Sequence, residues 1–109
     1  MTEPLYEKMA HVQGAVAEGR YRYTFHGAQQ LIARRLQRRD VEQAAATGEI
    51  IEDYPEHHYG PACLVLGRTA AGEPLHMVCS LRERVDIITV YRPDPEEWEH
   101  DWKTRRRAP

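Results

Sequence analysis

Two side chains in the stretch YTFHGAQQLIARR, Tyr23 to Arg35, are of the types that handle phosphate. The imidazole of His26 is a side chain of the type that can take or return a proton. Arg34 offers a planar fork of N–H donors that matches phosphate oxygens and stays charged. In a helix the two would stand about 12 Å apart along the axis, at 1.5 Å per residue. They share the stripe His26, Gln30, Arg34, roughly opposite the stripe Phe25, Ala28, Ile32, Leu36 that such a helix would bury. An ordinary solvated helix face has the same pattern, so spacing alone leaves both readings open.

Other reactive types are less promising. His57 and His58, beside Asp53 and Glu56, carry metal-ligating atoms, but adjacent histidines in an extended loop point apart. Cys63 and Cys79 lie in apolar runs outside any CxxC pair and read as buried free thiols. Trp98 and Trp102, four apart, share a helix face and read as packing against the domain, with a partner chain as the alternative. Neither a metal nor a cofactor is expected.

The 109 residues fit one domain, 1–109, with one core. Apolar residues make up 41% and charged residues 29%, the balance of a globular chain. The formal net charge of −2 excludes a global basic field, so any nucleic-acid contact needs a local patch. Arg34, Arg35, Arg38 and Arg39 form one, and Arg105 to Arg107 another, while acid collects in DPEEWEHD. The opening MTEPLYEKMAH has charges where a leader would be apolar. No run approaches the roughly 20 apolar residues of a membrane span, and the expected location is the cytoplasm.

Leu5, Met9, Val12 and Val16 recur on one face and predict a helix over about Leu5 to Glu18, stopped by Gly19. YRYT is short and extended. Thr24 then caps a second helix over about Phe25 to Gln37. Asp40 caps a third, Val41 to Thr47, with Gly48 after it. EIIEDY, PACLVLG, PLHMVCSL and RVDIITVY read as four strands rich in β-branched residues. RTAAGEP is a glycine-containing turn, and Arg82–Glu83 a tight one. A short helix around Trp98 and a flexible tail over about 103–109 end the chain. This order predicts an α+β fold, with two or three N-terminal helices on one face of a four-stranded antiparallel meander. Pairing Met77 with Ile88 and Leu75 with Val90 puts those four, with Leu64 and Leu66, on the helix-covered face. His76, Thr89, Tyr91, Val65, Val78 and Ile87 fall on the other.

YRYTFHGAQQLIARRLQRRDVEQAAATGEIIEDYP, followed by LVLG, PLHMV and ITVYRPD, resembles the bacterial domain of unknown function 4258 family. The resemblance covers about residues 20–94. It rests on Thr24, His26, Arg34, Gly48, Ile50, Ile51, Tyr54, Pro55, His76 and Tyr91 at the family's motif places. Gly27 stands where Ala is usual, Gln30 where a second Arg is common, and Gln37 where Ser or Thr usually caps. The resemblance implies a compact domain similar to RelE and colicin-type ribonuclease toxins. It also implies RNA as substrate and a small antitoxin partner carrying a zinc-finger or helix-turn-helix domain. By motif position, it makes His26, Arg34, His76 and Tyr91 the site candidates.

The expected function is that of a toxin-like, metal-independent endoribonuclease of a toxin–antitoxin module. His26 would be base or acid in 2′-hydroxyl attack on the adjacent phosphate, and His76 its counterpart. Arg34 would hold the phosphate, and Tyr91 would stack on a base or donate a hydrogen bond. The register above turns His76 away from the helices, so the two imidazoles would converge only at a sheet edge or after a register slip. The alternative is a non-catalytic protein-binding module, or a homodimer, docking through Val65, Val78 and Ile87.

Overall fold

The computed structural model describes residues 4–107. Its elements run α1 (Leu5–Ala17), β1 (Tyr21–Tyr23), α2 (Phe25–Ala33), α3 (Arg38–Ala46), β2 (Glu49–Tyr54), β3 (Ala62–Arg68), β4 (Pro74–Ser80) and β5 (Val85–Tyr91). The fold is α+β. It departs from a four-stranded meander because YRY joins the sheet as a fifth strand. The sheet order is β1-β5-β4-β3-β2, with β1 parallel to β5 and every other pair antiparallel. Val85 N–H donates to the Arg20 carbonyl, and Thr24 N–H to the Ile87 carbonyl, closing the short parallel ladder at both ends.

The helix ends show where local chemistry sets a boundary. Gly19, at φ 76°, ends α1: its N–H donates to the Val16 carbonyl and Arg20 N–H to the Ala15 carbonyl. The same pair of bonds ends α2, from Arg35 to Ile32 and from Leu36 to Leu31, with Arg35 at φ 55°. An arginine in this left-handed position carries no sequence signal. The second helix therefore stops at Ala33 rather than continuing to Gln37. α3 begins at Arg38, with Asp40 in its first turn accepting from Gln37 N–H at 2.8 Å, so Asp40 supports the cap rather than being it.

The core lies between the helices and one sheet face. That face presents Cys63 and Val65 from β3, Leu75, Met77 and Cys79 from β4, and Val85, Ile87 and Val90 from β5. The observed register pairs Met77 with Val90, Val65 with Met77 and His76 with Tyr91. Leu64 and Leu66 therefore lie on the opposite face, and Val65 and Ile87 are in the core, which exchanges the expected places of these four. Two causes act: β3 pairs with β4 so that Val65 faces Met77 and Leu66 faces His76, which moves Leu64, Leu66 and Val65, and β5 carries Ile88 as an extra residue between Ile87 and Thr89, which moves Ile87. Close packing of α3 needs Gly67, because a Cβ there would overlap the backbone of Ala44.

α2 is rotated from the orientation its apolar stripe predicts. Gly27 is buried and Leu31 packs on the core, whereas Phe25 is 81% and Ile32 78% exposed. A Cβ at residue 27 would overlap the Ile87 carbonyl, so glycine lets α2 lie against β5.

The second sheet face is covered by the chain's own C-terminal segment. No helix forms around Trp98. Residues 94–105 are turns, bends and irregular chain, and Trp98 bridges to Arg105 in antiparallel fashion. Of the stretch read as a flexible tail, Lys103 pairs with Glu49 at 2.8 Å and Arg105 with Glu52 at 2.8 Å. Residues 108–109 of that stretch lie outside the described residues. No helix among the described residues is long and apolar enough to cross a membrane.

Candidate functional site

Thr24 positions His26. The Thr24 hydroxyl oxygen accepts from Gly27 N–H at 3.0 Å, fixing the first turn of α2. His26 is exposed, and its imidazole has no hydrogen-bond partner among the described residues. Arg34 follows the last turn of α2 and is also exposed. Its carbonyl accepts from Arg92 at 2.8 Å, while its guanidinium has no protein partner among the described residues. Both groups are thus open to a ligand, one in the first turn and the other just past the end of a short helix braced along β5.

His76 has a different environment. It is fully buried on the second sheet face, edge-on to Trp98 with ring centroids 4.5 Å apart. Its Nε2 lies 2.7 Å from the Trp102 carbonyl, which can only accept, so Nε2 carries the proton. Nδ1 then accepts from the Tyr91 hydroxyl at 3.2 Å. Burial holds the ring's pKa below the ordinary histidine value, opposed by the Trp102 carbonyl and the Glu52 charge. Glu52 itself is held below the usual carboxylate range by paired bonds from Arg105 at 2.8 and 3.0 Å, and Arg105 also stacks 4.6 Å over Trp98. The structure therefore brings His76 and Tyr91 together and holds them inside the C-terminal cover. It keeps His26 and Arg34 at the two ends of α2, with both side chains open to solvent.

Other groups fall into place by burial. Cys63 and Cys79 are cross-strand neighbours with free, buried thiols, and burial raises Cys63 to about 12. His57 and His58 stack with centroids 4.4 Å apart rather than pointing apart. No group of three or more His, Cys, Asp or Glu among the described residues could hold a metal ion.

Three surface grooves stand out among the described residues, and neither His26 nor Arg34 lines any of them. The one of about 570 Å³ is lined by Arg20, Arg22, Arg82 and Arg84, with Gly19, Glu83 and Asp86. This concentration escaped the sequence reading. Its trace was present in GRYR and LRER, where arginines two apart share a face if the chain is extended. Only the parallel pairing of β1 with β5 brings the two segments together.

A five-stranded α+β domain with an open helix face and a separate arginine groove is the class this structure defines. The family model described as Domain of unknown function (DUF4258) matches residues 23–92, and the chain belongs to that family. No curated protein and no solved structure matches the chain.

Proposed function

We propose that the chain is a toxin-like, metal-independent endoribonuclease whose working surface is α2. The observation that supports this most is the exposed imidazole of His26, two turns from the exposed guanidinium of Arg34 that follows α2, neither with a partner among the described residues, on a helix fixed against β5. His26 accepts the proton of a ribose 2′-hydroxyl. The 2′-oxygen attacks the adjacent phosphorus, and the bond to the 5′-oxygen breaks. Arg34 offsets the charge that builds on the non-bridging oxygens. The leaving oxygen takes its proton from water, since His76 has both ring nitrogens occupied. His76 and Tyr91 act here as supports of the C-terminal cover. The exposed Phe25 and Ile32 on the same helix favour α2 as the element that an antitoxin would cover.

The test is single-stranded RNA incubated with the purified chain in chelator. The expected products carry 2′,3′-cyclic phosphate ends. His26→Ala is expected to lower the rate by about 10²–10⁴-fold with an unchanged urea midpoint, because the side chain supports nothing else. Cutting that requires a divalent metal, or full activity in the variant, overturns the reading. RNA left intact by the native chain would leave the non-catalytic binding module in its place.

A further inference from the structure

We infer that the arginine groove and the neighbouring His57–Tyr59 loop form a second RNA-engaging surface, which grips phosphates and bases of a single strand away from His26. The inference takes its ligand class from the ribonuclease reading above, but it concerns binding and not cleavage.

The charges in the groove are not equivalent. Arg22 is spent on Asp86, 2.8 Å away, and Arg20 on Glu18 at 2.9 Å and the Glu83 carbonyl at 2.9 Å. Arg82 and Arg84 have no carboxylate partner among the described residues, and Arg84 makes no side-chain hydrogen bond there at all. Both are exposed on the turn between β4 and β5. Two guanidinium forks without a carboxylate partner among the described residues, beside a groove of about 570 Å³, suit phosphate oxygens.

The second observation is aromatic. Arg82 donates to the Tyr59 carbonyl at 3.1 Å, tying the groove to the loop between β2 and β3. There His57 stacks on His58, and the His58 and Tyr59 rings lie 5.3 Å apart, both residues exposed. Cations beside exposed rings are what a single strand needs, since phosphates meet the charges and unpaired bases stack on the rings. An acidic peptide would use the charges and leave the rings idle. β1 has three residues, so the groove begins about 10 Å along the strand from the first turn of α2, at 3.3 Å per residue. A polynucleotide can span that interval.

The test measures binding of a labelled U-rich oligoribonucleotide across a salt series, in a His26→Ala background so that nothing is cut. Affinity is expected to fall with salt. Arg84→Gln should flatten the log–log slope by about 0.7, and Arg82→Gln with Arg84→Gln by about 1.4. Tyr59→Ala should weaken binding roughly tenfold with the slope unchanged. Urea midpoints of all variants check folding, and Arg84→Gln disturbs no bond. An unchanged slope in the double variant overturns the inference. So does polyglutamate binding as tightly as the RNA, and so does the absence of RNA binding at low salt. If RNA binds as described but the native chain leaves it intact, the nuclease reading fails and this one stands. Cutting with an unaltered slope has the reverse meaning.

Discussion

Gln30 shows how a single residue can be misread from pattern. It occupies the place where the resemblance leads one to expect a second arginine, and the absence of that arginine looks like a lost phosphate contact. The structure gives Gln30 another task. β1 ends at Tyr23, opposite Ile87, so the outer side of β5 has no strand neighbour beyond that point. Val90 N–H turns outward there, and the Gln30 side-chain carbonyl accepts from it at 3.0 Å. A buried ladder N–H without an acceptor is costly, and arginine has donors only. Gln30→Arg is therefore expected to destabilise the fold by about 1–3 kcal/mol, read from urea denaturation. Gln30→Glu keeps an acceptor and should lose less. Equal stability of Gln30→Arg and the native chain would mean that water satisfies Val90, and the argument would fail. Gly27 follows the same logic: its missing Cβ is what allows α2 to approach the Ile87 carbonyl.

At the level of elements, the legible parts were those with local signals. Gly19 marks the end of α1, Gly72 at φ 82° marks the β3–β4 turn, and β-branched runs mark four strands. The misread parts depend on partners distant in sequence. Three residues of β1 carry too little pattern to announce a parallel pairing with β5, and without it neither the groove nor the true edge of the sheet can be derived. Arg35 closes α2 without a glycine, and the extra Ile88 in β5 moves faces by an amount no turn rule supplies. The candidate site was legible to the same extent: Thr24 and His26 follow from capping, but the enclosure of His76 does not. The C-terminal segment is the clearest case. Trp98 and Trp102 have helical spacing, yet Asp101 accepts from Lys103 and Thr104 N–H groups at 2.9 and 3.0 Å, which competes with a helix. Trp98 is 1% exposed between His76 and Arg105. Trp98→Ala should cost about 3–5 kcal/mol in urea denaturation and release the cover from the sheet. A loss below about 1 kcal/mol would show that the cover contributes little to the fold.

The whole molecule is a sheet covered on both faces, by helices on one and by residues 94–105 on the other, and that second cover extends past the family match at residue 92. Burial of the second face makes the stability of the entire chain sensitive to one proton. His76 is held neutral, with its folded pKa depressed below the ordinary histidine value, chiefly by burial. Unfolding returns the ring to water, where it binds a proton more readily. Between those two pKa values the unfolded chain holds more protons, so stability falls as pH falls. His76 thus contributes stability that is fully present above about pH 6.5 and lost as pH drops through its folded value. The slope from this one group cannot exceed about 1.4 kcal/mol per pH unit. His76→Gln keeps an N–H for the Trp102 carbonyl and removes the titration. Urea midpoints of both proteins at pH 7 and pH 5 isolate the effect, since the five other histidines of the six are common to both. Glu52, held below the usual carboxylate range by Arg105, stays ionised across that interval. The native chain is expected to lose more stability on acidification than His76→Gln. Parallel losses in the two proteins would mean that the His76 ring is hydrated in the folded state, and with it that the C-terminal cover does not seal the sheet.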